Sequence, residues 1–214
     1  MPLQNRVDPF GAIHAVPERG MFTGNRGIIH DPSTKTLLSR RWSAKAWIIC
    51  ACQYKGHWRP VMGPGKSGNG SWTELFFLDE VTALSAGHRP CFYCRRQVAV
   101  RFAMKFGEAV GLTMPKVRDI DAALHAGRLA AGAIAPALDP DAVAGLPDGG
   151  MIAIDGKPYA IRRGWLLPWS FAGYGEPVAR EHALGRHAVA LTPSATLAVL
   201  ANGFQPAWHP SAGP

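Results

Sequence analysis

The cysteines offer the most chemistry in this sequence. Cys91 and Cys94 stand two residues apart within His88-Arg89-Pro90-Cys91-Phe92-Tyr93-Cys94. That spacing lets both sulfurs turn onto one ion while nearby backbone N–H groups steady them, as in the knuckle of a structural zinc site. The segment is polar and turn-like, a poor place for core cysteines. A redox Cys-x-x-Cys opens a helix inside a thioredoxin-like βαβ pattern, and no such pattern surrounds this one. Zinc needs two further ligands, and Cys50, Cys52, His30, His57 and His88 are the candidates. Cys50 and Cys52 share one face of a predicted strand and would sit about 7 Å apart along it. That is wide for one tetrahedral ion with bonds of about 2.3 Å. Cys50 is the favoured ligand, with Cys52 and His88 as alternates.

A second group of residues could act as acids or bases. Asp79 and Glu80 follow a predicted strand directly, and Asn25 lies in a polar cluster with Arg26, His30 and Asp31. Carboxylates at a strand end beside a basic groove suit a hydrolase. They equally suit a helix start, with Asp79 as N-cap and Glu80 favoured by the helix dipole. No Walker loop, dinucleotide fingerprint, HExxH or GxSxG occurs.

The cations are unevenly spread. The chain of 214 residues carries +8 overall. Residues 1–107 hold 15 Lys/Arg against 6 Asp/Glu, a net +9, whereas residues 108–214 hold 8 against 9, a net −1. The excess sits in the half that holds every cysteine, which points to a polyanionic partner. Arg89, Arg95, Arg96, Arg101 and Lys105 cluster around the start of a predicted helix, with Arg26, Arg40 and Arg41 upstream. A helix N-terminus beside arginines is a natural phosphate seat. Trp42, Trp47, Trp58 and Trp72 are interleaved with these cations and offer faces for base stacking or ordinary core packing.

Several elements must position these residues. Lys45–Met62 alternates like a β-hairpin with its turn near Tyr54–Trp58, and residues 63–70 read as a loop tip. Thr73–Leu78 is a predicted strand, followed by a helix through Glu80–Ala86 with Gly87 as its stop signal. Arg95–Val110 and Asp119–Ala131 have helical spacing, and residues 135–150 read as a linker. Met151–Ile154, Tyr159–Arg162 and Trp165–Pro168 are predicted strands joined by Asp155-Gly156 and Arg163-Gly164 turns. Ser194–Asn202 is a predicted short helix. Leu84-x-x-Gly87-x-x-Pro90 recurs as Leu200-x-x-Gly203-x-x-Pro206, which reads as shared capping chemistry.

Composition supports a folded protein, with 47% apolar and 18% charged residues. No apolar run reaches the roughly 18 residues of a membrane span. The N-terminus carries Arg6 and Asp8 and lacks an apolar signal core, so a cytoplasmic or nucleoid location is expected, where thiols stay reduced. The expected fold class is α+β: a small zinc-stabilised sheet-and-helix module over 1–107, a helix and linker over 108–150, and a small β-rich region over 151–214.

Residues 83–95 (ALSAGHRPCFYCR), preceded by Glu74-Leu75-Phe76-Phe77, resemble the zinc-binding domain of the Ada-like DNA alkylation-repair family. That family carries a strand and then a helix ending in A-A-G-F-R-P-C-x-x-C. The resemblance spans about residues 22–106 and is strongest over 73–96. An upstream family motif similar to G-I-F-C-R-P-S-C supplies two further cysteine ligands, one of which accepts a methyl group from DNA. Here residues 27–34 read GIIHDPST, agreeing at four of eight positions, with His30 and Thr34 where the cysteines stand. The resemblance therefore implies one structural zinc on His30, Cys50, Cys91 and Cys94, and contact with a DNA backbone. Methyl transfer is not expected, because the acceptor position holds no cysteine. The expected function is recognition of damaged or modified DNA through the basic helix beside the zinc. The rivals are a DNA-processing hydrolase with structural zinc and a zinc-dependent protein-interaction module.

Overall fold

The computed structural model describes residues 1–56, 60–64, 71–130 and 137–213. It is an α+β fold with two six-stranded sheets among these residues. The first sheet is built from β1 (Arg6–Val7), β2 (Ile13–His14), β3 (Phe22–Asn25), β4 (Ile48–Ala51), β5 (Leu75–Phe77) and β6 (Arg89–Pro90). Their spatial order is β2-β1-β5-β3-β4-β6. β3 runs antiparallel to both β4 and β5, whereas β4 and β6 are parallel. The alternation of Trp47, Ile49 and Ala51 does mark a strand, but not a hairpin arm. β4 has β3 on one edge and β6 on the other, which leaves no edge for the chain that follows it. His57, Trp58 and residues 65–70 of the expected turn and loop tip lie outside the described residues.

Five α-helices are described: α1 (Glu80–Ser85), α2 (Arg96–Val110), α3 (Val117–Ala130), α4 (Pro140–Gly145) and α5 (Ser194–Ala201). None is long and apolar enough to cross a membrane. α4 falls inside the stretch read as a linker. Its cap was legible: Asp139 Oδ1 accepts from Ala142 N, and Pro140 fills the first turn, where a missing N–H costs nothing. The echoed Leu-x-x-Gly segments do share capping chemistry. Gly87 N donates to Leu84 O and His88 N to Ala83 O, and Gly203 and Phe204 repeat this with Leu200 and Val199. Gly87 and Gly203 hold φ of +82° and +90°, which favours residues without a Cβ.

The second sheet contains β7 (Met151–Ile154), β8 (Lys157–Arg162), β9 (Trp165–Ser170), β10 (Gly173–Tyr174), β11 (Val178–Ala179) and β12 (Ala188–Ala190). All its pairings are antiparallel, in the order β10-β9-β8-β7-β12 with β11 also on β9. Asp155, Gly156, Arg163 and Gly164 all have positive φ, as two-residue hairpin turns of the primed type require.

The cores do not stop at residue 107. Val199, Leu200 and Phe204 pack in one cluster with Val7, Phe77, Leu84 and Phe102, and the Phe102 and Phe204 rings meet edge-to-face at 5.3 Å. Leu78 and Val81 pack with Met151, Leu167 and Tyr174 of the second sheet. Burying that apolar area is what holds the C-terminal segment against the cysteine-bearing half.

Candidate metal centre

The parallel pairing of β4 with β6 places two of the cysteines side by side. Ile48 stands opposite Arg89 and Ile49 opposite Pro90, so the next step of the ladder brings Cys50 beside Cys91. Cys91 N donates to Ile49 O at 2.9 Å, which locks this register. Pro90 cannot donate to a ladder, but β6 is the outermost strand, where no donor is needed. The chain then turns. Arg95 N bonds Cys91 O at 3.0 Å, and this turn carries Cys94 back toward Cys91 just before α2.

The thiol sulfurs of Cys50, Cys91 and Cys94 all lie within 4.8 Å of one another. Such a group can hold a metal ion. Cys50 and Cys91 are buried and Cys94 is half-buried. The Cys50 thiol donates toward the Cys91 sulfur, and the backbone N–H groups of Cys94 and Tyr93 point at it as well. These donors outweigh the effect of burial and bring Cys91 down to about 5. Cys50 is pushed up by its bond to Cys91 and by burial. Burial also raises Cys94, against a bond from the Ala51 N–H. One thiolate forms readily here, while two more would repel it. A cation removes that repulsion, so binding a metal releases the remaining protons.

The other ligand candidates are held elsewhere. β4 ends at Ala51, and Cys52 is exposed with its thiol donating to Met21 O at 3.4 Å. Two residues of strand rise thus separate Cys52 from the cluster. His30 is buried with Nδ1 2.6 Å from Thr73 Oγ1, outside the sulfur group. His88 lies in the core against Trp47 and Phe77, at ring distances of 5.2 and 4.6 Å. Of the four residues implied by the Ada-like pattern, the fold unites Cys50, Cys91 and Cys94. The candidate His57 lies outside the described residues.

Asp79 and Glu80 are fully committed. Asp79 Oδ1 accepts from Thr82 N and Thr82 Oγ1, both at 2.8 Å, so it does cap α1. Its Oδ2 accepts from Tyr174 Oη at 2.8 Å and from His209 N at 3.1 Å. Glu80 takes Arg95 Nη1 at 2.6 Å and Ala207 N at 2.9 Å. Both are buried, and they tie the C-terminal segment to α1. Asn25 is also buried, with Oδ1 accepting from Gly27 N at 3.1 Å.

The cations divide into two sets. Arg89 is buried and grips Asp121 with two bonds of 2.8 Å. Arg95 is paired with Glu80 and lies 4.3 Å from the Phe22 ring centre. Arg26 is buried against Trp47, 4.1 Å from the ring centre. These three hold the fold together. Arg96, Arg101, Arg40 and Arg41 are exposed, and Lys105 is half-buried in a pair with Glu108. Trp47 is core; Trp42 packs against it at 6.1 Å. Two important residues of α3 were not anticipated: Asp121, and Arg128, which bonds Gly87 O and Lys45 O, each at 2.9 Å. They are seven residues apart, two helical turns on one face, and that spacing was the available signal.

His88 gives the protein a pH dependence. Burial, then the positive charges of Arg26 and Arg128, push its imidazole well below 6.5. It folds neutral, whereas the unfolded chain takes up a proton near pH 6.5. The unfolded state then binds more protons below that value, so stability falls as pH falls. The expected slope approaches about 1.4 kcal/mol per pH unit below pH 6.5. Denaturant unfolding at pH 7.5 and 5.5 measures it, and His88→Gln should flatten the dependence.

Comparison with known proteins finds no matching family model, no similar curated protein and no similar solved structure. Fold and site geometry define an α+β protein whose three-cysteine cluster joins the outermost strand of a sheet to the start of a helix.

Proposed function

We propose that this is a zinc-containing nucleic-acid-binding protein, in which one structural zinc fixes the start of α2 and the exposed cations around it meet the polyanion. The carrying observation is the convergence of Cys50, Cys91 and Cys94 within 4.8 Å at that helix start. Zinc with bonds of about 2.3 Å at tetrahedral angles sets its sulfurs about 3.8 Å apart, in keeping with this grouping. A reducing, cytoplasmic setting suits thiolate ligands. The net +9 of residues 1–107 supports a polyanionic partner. Arg101 and Lys105, one helical turn apart, line a groove of about 460 Å³ with Met104 and Phe204, joining cations to an apolar floor. The Ada-like pattern of residues 73–96 favours DNA, damaged or modified, as the nucleic acid. Binding is favoured over hydrolysis because Asp79 and Glu80 spend their oxygens on structural bonds.

Affinity for duplex DNA, measured by fluorescence anisotropy across a salt series, tests this. Arg96→Ala with Arg101→Ala removes two exposed cations and should leave folding intact. Each lost phosphate contact should reduce the slope of log K against log salt by about 0.9. Unchanged affinity and slope would exclude this face. Salt-insensitive binding to a protein partner instead would favour an interaction module.

A further inference from the structure

A second site lies upstream of the cysteines. Gly11, Ile13, Arg26, Leu38, Arg40 and Arg41 line a pocket of about 180 Å³. Arg26 is 1% exposed. Its Nε donates to His88 Nε2 at 3.3 Å and its Nη1 to Gly11 O at 2.9 Å, both neutral acceptors. Its Nη2 is buried without a hydrogen-bond partner. That nitrogen lies beside Gly11, where an added Cβ would come within 3.4 Å of it. Asp8 is the carboxylate that acts on Arg26, yet its oxygens serve Ala12 N and His14 Nε2. Arg26 makes no ion pair among the described residues, and neither do Arg40 and Arg41. A buried cation without a counter-ion is costly, and a guanidinium edge with a spare donor is built for a forked oxyanion. Burial, then the nearby Arg41 and Arg128 charges, lowers Arg26 to about 9.

We infer that this pocket binds a phosphate group, seated on Arg26 and flanked by Arg40 and Arg41. Three guanidinium groups match a phosphate, with its one or two charges and several acceptor oxygens, better than a single carboxylate. The volume is below the roughly 300–1,000 Å³ of sites that enclose a whole small molecule. It therefore suits a phosphate group whose carrier extends outside. A phosphodiester of nucleic acid and a free phosphomonoester both present those oxygens. The site rests on neither the metal nor the α2 cations. No cysteine lines this pocket, and none of its lining residues belongs to the sulfur cluster.

Isothermal titration of the full chain with inorganic phosphate at low ionic strength is the test. Saturable binding, with Kd of about 1 mM or tighter, is expected. Arg40→Ala with Arg41→Ala changes exposed residues and should weaken phosphate roughly tenfold or more while the melting temperature holds. Arg26→Lys keeps the charge but loses the fork, and should weaken it too; if that variant does not fold, the surface pair decides. No saturable binding, or phosphate affinity unchanged in the Arg40/Arg41 variant, overturns the proposal. Competition by short oligothymidylates identifies the source. Equal displacement with and without a 5′-phosphate means a backbone diester. Displacement only by the 5′-phosphorylated strand means a terminal monoester. A DNA loss confined to the Arg96/Arg101 variant, with phosphate binding intact, separates the two sites.

Discussion

Protein purified under reducing conditions should carry about one zinc per chain, and Cys91→Ser should carry none. Cys91 sits at the centre of the cluster: it faces Cys50 across the β4–β6 ladder and Cys94 across the turn into α2. Its loss removes the thiolate that forms most readily and leaves only two of the three clustered sulfurs. A metal held on these cysteines would join two segments distant in sequence, so its loss should also cost stability. Zinc contributes about 10–16 kcal/mol to small peptide folds that have little core. This chain has an apolar core of its own, so a smaller cost is expected. A loss of about 3 kcal/mol would lower Tm by roughly 6–12 °C for a chain of this size. Elemental analysis and thermal melting with and without a chelator measure both effects. Cys52→Ser should keep the metal, since its thiol faces Met21 O. Full metal content in Cys91→Ser would place the ion elsewhere, and no metal in the wild type would end the zinc reading.

The second large effect should come from Asp121→Ala. Arg89 and Asp121 form a two-pronged pair with side chains only 5% and 11% exposed. Removing the carboxylate strands a buried guanidinium, which typically costs about 3–5 kcal/mol. The expected fall in Tm is roughly 6–20 °C. The strand that carries Arg89 also delivers Cys91, so metal retention against a chelator should weaken in step. Replacing both partners, Arg89→Met with Asp121→Leu, should recover much of the stability, because no charge is then left buried. A Tm in Asp121→Ala within 1–2 °C of wild type, about half a kcal/mol, would mean that the pair contributes little.

The local elements were largely legible. Asp79 and Gly87 bracket α1 by side-chain capping and a positive φ, which depend on nearest neighbours. The Asp155-Gly156 and Arg163-Gly164 turns, the helices α2, α3 and α5, and the strand at β5 follow from the same short-range rules. The hairpin reading of Lys45–Met62 failed for a different reason. Alternation marks a strand but says nothing of its partner, and β4 pairs with segments about twenty-five and forty residues away.

Of the candidate site, the sequence alone determined the Cys91-x-x-Cys94 knuckle, because a turn of four residues fixes its own geometry. It also determined the basic balance of the first half and the preference for Cys50 over Cys52, which came from strand rise. The tertiary structure decided the rest. It chose Cys50 through a parallel ladder, and it held His30 on Thr73 and His88 in the core. It buried Arg26 and Arg89 and paired the half-buried Arg95 with Glu80, while leaving Arg40, Arg41, Arg96 and Arg101 exposed. An arginine reads the same in sequence whether it meets solvent or a carboxylate. Only long-range packing brings Asp121 to Arg89 and Glu80 to Arg95, and so decides which cations stay free to meet a partner.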